Sequence, residues 1–195
     1  VTIALTDRTE MADNSELSSD EMFELLYGIV PEGYKGEIVG GVVHMAPQRG
    51  THWEIIGDAF LQLKQHFGRR SRIMSDVRLD LPGEGNAFAP DLFKLSDGAE
   101  PDAKGRWRYQ DVEFVLEVIS RGTADNDYGK KMAAYAVGEI PVYVIVDPYT
   151  GQCHVHTEPK DGEYRAKRTL DFGDPVDLTD TVLGLSLDTG SFPRD

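Results

Sequence analysis

The sequence is poor in what extracellular and membrane architectures require. Its single cysteine, Cys153, cannot close an internal disulfide, and there is no CxxC pair to form a zinc knuckle or a dithiol redox site. No apolar run approaches the roughly 18 residues of a membrane span. The opening Val1-Thr2-Ile3-Ala4-Leu5 is too short for the apolar region of a signal peptide, so a cytoplasmic protein with no membrane partner is expected. Positive charge is also scarce: 20 Lys and Arg face 34 Asp and Glu, a net charge of −14, which at face value disfavours a phosphate-rich partner. The distribution softens that objection, because the acids concentrate at the two ends and residues 25–160 hold 15 bases against 19 acids. A phosphate-cradling glycine loop is missing too, since Gly83-Glu84-Gly85 lacks both the lysine and the following helix that such a loop needs.

What is present describes a globular protein: 195 residues, 40% hydrophobic and 28% charged, enough for one core. Residues 1–17 are polar, acidic and aperiodic, which predicts a leader that is disordered or added for expression, followed by a single domain over 18–195. Ser18-Ser19-Asp20-Glu21 has capping-box spacing ahead of a short helix ending near Gly28. Gly40-Gly41 between two apolar segments predicts a β-hairpin. Trp53, Ile56, Phe60, Leu63 and Phe67 recur at steps of three and four, predicting a buried helical stripe over 51–67. Strands are expected at 72–81, 87–95, 112–120 and 141–146, a helix at 124–137, and a peripheral hairpin at 153–157 and 164–170. The order of elements implies an α/β fold with a mixed sheet flanked by helices and an N-terminal β-hairpin.

One residue breaks the apolar strand Phe114-Val115-Leu116-Glu117-Val118-Ile119. Burying the Glu117 carboxylate costs several kcal/mol, at about the scale of an unpaired buried ion, unless a cation meets it. Asp91 intrudes similarly in Ala89-Pro90-Asp91-Leu92-Phe93, and two such acids on adjacent strands could converge on one divalent cation. Taken singly, each has a plainer explanation as a strand-end acid that pairs with arginine or faces solvent. On the following helix, Tyr128, Met132, Tyr135 and Ala136 form a stripe with Lys131 at its edge and Lys130 on the far side, so Lys131 is the lysine aimed at the sheet. An ordinary i,i+4 ion pair with Asp127 would explain Asp127, and Lys131 less completely.

Together these residues resemble the PD-(D/E)XK nuclease superfamily and, within it, the Uma-type restriction endonuclease family. Pro90-Asp91 is similar to the PD element, Glu117-Val118-Ile119-Ser120 to the acidic strand end, and Asp127-x-x-x-Lys131-x-x-x-Tyr135 to the helix onto which that family moves its lysine. The usual lysine position, two after the acid, holds Ile119. Glu37 in the hairpin and His52 at the start of the next helix match further positions of the family. The resemblance covers roughly residues 20–160. It implies a restriction-endonuclease-like fold and a metal-dependent phosphodiesterase site in which Asp91, Glu117 and the Val118 carbonyl hold Mg²⁺ or Mn²⁺. Lys131 would then orient the attacking water, and Tyr135 and Asp127 would fix the lysine. The implied partner is nucleic acid, with DNA the expected type, and a homodimer would suit two-strand cutting.

Other groups have more ordinary readings. His154 and His156 share a strand face but lack a third ligand. Arg69, Arg70, Arg72, Arg78, Arg106 and Arg108, with Trp107, could track phosphates and stack a base, or form a solvated surface. Two rivals stand beside the nuclease: a catalytically silent interaction module that uses its acidic ends, and a hydrolase of small phosphorylated molecules.

Overall fold

The computed structural model describes residues 2–3, 19–47, 49–83, 85–122 and 124–195. Apart from Thr2 and Ile3, the expected leader lies outside the described residues, as do Ser18 of the capping box and Glu84 of the turn at 82–85. Strand β1 (Thr2–Ile3) and helix α1 (Ser19–Ile29) precede a hairpin of β2 (Tyr34–Val39) and β3 (Val42–Pro47). Asp20 and Glu21 sit in the first turn of α1, where acids favour the helix dipole, and Phe23 and Leu26 bury its inner side. The hairpin turns at Gly40-Gly41, both at positive φ (58° and 74°), as a two-residue loop with the right twist demands.

Helix α2 (Gly50–Phe67) is followed by four short strands, β4 (Ile73–Met74), β5 (Leu79–Asp80), β6 (Ala87–Phe88) and β7 (Leu92–Leu95). Sequence alone suggested two longer strands here, and the chain instead crosses twice between sheets. Asp76, at φ 56°, turns the backbone between β4 and β5. Pro90, which has no N–H to give a ladder, separates β6 from β7. Strands β8 (Trp107–Arg108) and β9 (Val112–Val118) follow, then a continuous helical segment from Ala124 whose residues Asn126–Lys131 form a π-helical turn before α3 (Met132–Val137). The chain finishes with β10 (Val142–Asp147), β11 (Gln152–Lys160), β12 (Glu163–Asp171), β13 (Val176–Leu178) and β14 (Leu185–Leu187).

The main sheet runs β12-β11-β10-β9-β7-β4, with β9 and β10 parallel and the other pairs antiparallel. A parallel pair requires a crossover, and the helical segment before β10 is that crossover. Alternation along β9 and β10 divides the core in two. Phe114, Leu116, Val118, Val142, Val144 and Val146 face α2 and the β13–β14 pair. Val115, Tyr143 and Ile145 face α3 and the second sheet, β1-β3-β2-β6-β5-β8. Every residue of β10 is buried, as its unbroken apolar run predicts. Where β5–β6 meets the hairpin turn, the Gly41 N–H donates to the Gly85 carbonyl at 3.1 Å, and a Cβ on Gly85 would lie 2.4 Å from the Gly41 nitrogen. No described helix is long and apolar enough to cross a membrane.

The expected stripe on α2 is rotated. Ile55, Ile56, Ala59 and Leu63 are its buried residues, while Trp53 is 66% exposed. At about 100° per residue Trp53 lies roughly a quarter turn from the centre of the buried arc, whereas His52, four before Ile56, lies on it.

On β11, His156 is buried against the rings of Tyr143 and Tyr164, at centroid distances of 5.7 and 5.8 Å. Burial, followed by the charge of Lys167, pushes its pKa down to about 4. The unfolded chain therefore takes the proton first. This stability is complete above pH about 6.5 and is lost as pH falls toward 4, by on the order of 1–2 kcal/mol at pH 5. Urea midpoints at pH 7.5 and 5 should show the loss in the wild type and a flatter profile in His156→Phe; an equal slope in both would assign the pH dependence elsewhere.

Candidate active site

The double crossing between sheets carries Asp91 to the start of β7, which pairs with β9 through Leu92 and Leu116. Asp91 thereby lies beside Glu117, and its backbone N–H donates to Glu117 Oε2 at 3.2 Å. The Val118 N–H donates to Asp91 Oδ2 at 2.7 Å, fixing one side of that carboxylate. His52 Nε2 approaches the same oxygen at 3.3 Å, because the buried arc of α2 aims it there.

The helical segment supplies the opposing charge. Lys131 is 2% exposed and Lys130 is exposed, so the two lysines divide as the sequence suggests. Lys131 Nζ lies 2.6 Å from Glu117 Oε1, 3.0 Å from Asp127 Oδ1 and 3.0 Å from Glu37 Oε2. The phase differs from expectation at Tyr128, which is exposed while Asp127 is buried. A π turn advances less per residue than an α turn, and this shift brings Asp127 inward with Lys131. Tyr135 donates its hydroxyl to Glu117 Oε1 at 2.7 Å, so it orients the acid rather than the lysine. An ammonium has only donors to offer, and the carboxylate is the natural acceptor for a phenol.

Lys35 is the group that the sequence reading missed. Its Nζ lies 2.7 Å from Asp91 Oδ1, 3.6 Å from Glu117 Oε2 and 3.7 Å from Glu37 Oε1. Residues 35 and 37 share a face of β2, so a Glu37 that points inward carries Lys35 with it. That alternation was the available signal.

Four carboxylates thus face two ammonium groups, a formal charge of −2 if all are ionised. Burial opposes ionisation at every one of them, and the outcome at each depends on whether the nearby cations outweigh it. Burial pushes Glu117 up to about 8 against the pull of Lys131 and Lys35, and it raises Asp127 as well. At Asp91 burial is outweighed, first by Lys35 and then by His52, which hold it well below the usual carboxylate range. Glu37 is likewise lowered, by Lys131 and Lys35 against burial. Burial works against both ammonium groups, yet the surrounding acids raise Lys35 and Lys131.

Among the described residues no group of three or more His, Cys, Asp or Glu side chains is set at metal-ligand spacing. The geometry gives the reason, since ammonium groups stand between the acids. The cavity among Lys35, Glu37, His52, Asp91, Glu117 and Lys131 measures about 30 Å³, room for a water molecule or two. Two larger cavities, of about 290 and 270 Å³, adjoin it through Lys35 and His52 respectively and share Asp76.

Three arginines of the candidate phosphate track are engaged with acids. Arg78 pairs with Asp20 and Asp80, Arg106 with Asp20 and Asp102, and Arg72 with Glu100 while lying over the Trp107 ring. Trp53, well exposed, lines the 270 Å³ cavity beside His52, together with Arg49, which pairs with Asp195 at 3.7 Å.

A family model described as "Uma2: Putative restriction endonuclease" matches residues 20–190. No curated protein matches the chain. Among solved structures, one described as a putative nuclease belonging to DUF820 from Anabaena variabilis superposes with a TM-score of 0.70 at 14% identity, covering 91% of this chain and 97% of that one. At that identity the likeness is one of fold.

Proposed function

The chain belongs to the Uma2 family, and from that premise we propose that it is a divalent-metal-dependent endonuclease that hydrolyses phosphodiester bonds of nucleic acid, with DNA as substrate, working in the cytoplasm as a homodimer. The observation that carries the reading is the convergence of Asp91, Glu117 and Lys131, from three separate elements, in one small buried cavity.

The residues fit Mg²⁺ or Mn²⁺ on two counts. The carboxylate oxygens of Asp91, Glu117 and Glu37 already surround one cation, the Lys35 ammonium, and an all-oxygen cage is what a hard cation takes. The carboxylates also outnumber the ammonium groups, and a divalent ion would offset that excess as it displaces the proton that burial keeps on Glu117. Asp91, Glu117 and the Val118 carbonyl would hold it, and when bound it supplies Lewis acidity and counter-charge for the phosphoryl oxygens.

The protein's own groups do the positioning. Lys131, held by Asp127, Glu37 and Glu117, places a fixed positive charge beside the attacking water and opposes the negative charge that develops on the phosphate. Tyr135 locks one oxygen of Glu117 and the Val118 N–H locks one oxygen of Asp91, so neither acid has to reorganise during the reaction. His52 steadies the same Asp91 oxygen, at 3.3 Å. Trp53, at the rim, can stack on a nucleotide next to the cut.

With Mn²⁺ present, plasmid DNA should be cleaved faster than RNA or a small aryl phosphodiester, and EDTA should stop the reaction. Cleavage should also weaken steeply with salt, because only local Lys and Arg groups can neutralise phosphates and added salt opposes the counterion release that their contacts bring. Turnover of the small diester with DNA left intact would favour the small-molecule hydrolase. Binding of a protein partner with no turnover in any metal would favour the silent module.

A further inference from the structure

Lys35 takes no step in the mechanism above, yet its ammonium lies among the acids of the cage. Its side chain is 11% exposed, and its nearest carboxylate, Asp91 at 2.7 Å, is the first-named acid of the site. The same Nζ lies 3.8 Å from Asp76, whose side chain is 37% exposed and which stands where the two larger cavities meet. The inner cavity, at about 30 Å³, is too small for a hydrated divalent cation to sit beside the ammonium. Three buried carboxylates around an empty centre would be a costly arrangement, so a protein that spends part of its life without metal needs a substitute cation there.

We propose that Lys35 is a tethered stand-in for the divalent cation. Its ammonium holds the seat among Asp91, Glu117 and Glu37 in the metal-free protein. Arrival of the metal expels it to Asp76 at the mouth, where it becomes a binding group for the substrate's phosphate. The inference rests on the metal-site reading above and adds an exchange to it: one monovalent charge leaves the cage as a divalent one enters, so metal loading and presentation of a phosphate ligand become a single event. Lysine suits this use because its ammonium sits on a long flexible stem and can travel several ångströms without moving the backbone of β2.

Titration calorimetry with Mn²⁺ on the full chain tests the exchange. Removing the competitor in Lys35→Met should tighten Mn²⁺ binding by about tenfold or more. Lys130→Met, which removes the same charge from the exposed side of the neighbouring helix, should change it by less than about twofold. Crystals of the wild type soaked in Mn²⁺ should show the Lys35 ammonium beside Asp76, a result that does not depend on how the variant folds. At saturating Mn²⁺, Lys35→Met should raise KM for DNA by about tenfold, with kcat within about twofold, as expected for lost uniform binding. Equal Mn²⁺ affinity in wild type and Lys35→Met, or an ammonium still on Asp91 beside bound Mn²⁺, overturns the exchange and leaves the metal site standing. An unchanged KM overturns the phosphate-binding half. Failure of both proteins to bind Mn²⁺ overturns this inference together with the metal-site reading.

Discussion

Lys131→Met is expected to cut metal-dependent cleavage by about 10²–10³-fold, the scale of removing one fixed group that stabilises a developing oxyanion, while Lys130→Met leaves it within about twofold. The two residues are adjacent in sequence and opposite in surroundings: one is 2% exposed among Glu37, Glu117 and Asp127, and the other faces solvent. Methionine keeps the length and apolar stem of lysine, so the change isolates the charge. It also leaves three buried carboxylates with less compensation. Metal-free stability should therefore drop by about 3–5 kcal/mol, the scale of breaking a buried ion pair from one side. Added Mn²⁺ should restore part of that loss by binding only the folded form. Cleavage assays and urea melts with and without Mn²⁺ read both effects. Equal loss of cleavage in the two variants would sink the role given to Lys131.

Glu117→Gln should produce the opposite pairing of effects. Cleavage should fall by at least about 10²-fold, because a charged metal ligand is gone, and Mn²⁺ affinity should fall with it. The metal-free protein should melt at the same temperature as the wild type or higher. The amide keeps an acceptor oxygen for Lys131 and Tyr135, and it relieves a cage whose carboxylates outnumber its cations. A silent interaction module would respond differently: its partner binding would ignore the change. Normal metal-dependent activity in Glu117→Gln would refute the site as drawn here.

Much of this arrangement was legible because the physical signals were strong and local. The unbroken apolar run of β10 announces a strand covered on both faces, and a carboxylate inside the run of β9 announces a cation nearby. Lys131 and Lys130 were separable by helical phase alone. Tyr128 falls on the stripe at α-helical pitch, but the π turn at Asn126–Lys131 resets the phase and turns Asp127 inward. Trp53 fits the α2 stripe by its spacing from Ile56, although the centre of the buried arc lies elsewhere. The strands at 72–81 and 87–95 were drawn too long because composition does not reveal a chain that changes sheets at Asp76 and Pro90. Lys35 was missed for another reason. A lysine in a hairpin strand is ordinarily a solvated residue, and only the inward aim of its neighbour but one, Glu37, marks it otherwise.

The contact between Gly85 and the hairpin turn bears on how this chain can vary through evolution. Gly85 is at φ 66°, and a side chain there would press on the Gly41 backbone. The turn it meets ends the strand that holds Lys35 and Glu37 at their distances from Asp91 and Lys131. A surface glycine at a loop is usually free to drift. This one is tied to the chemistry through the register of β2, so that lineages which keep the acid cage have few alternatives at position 85, although no reacting group touches it.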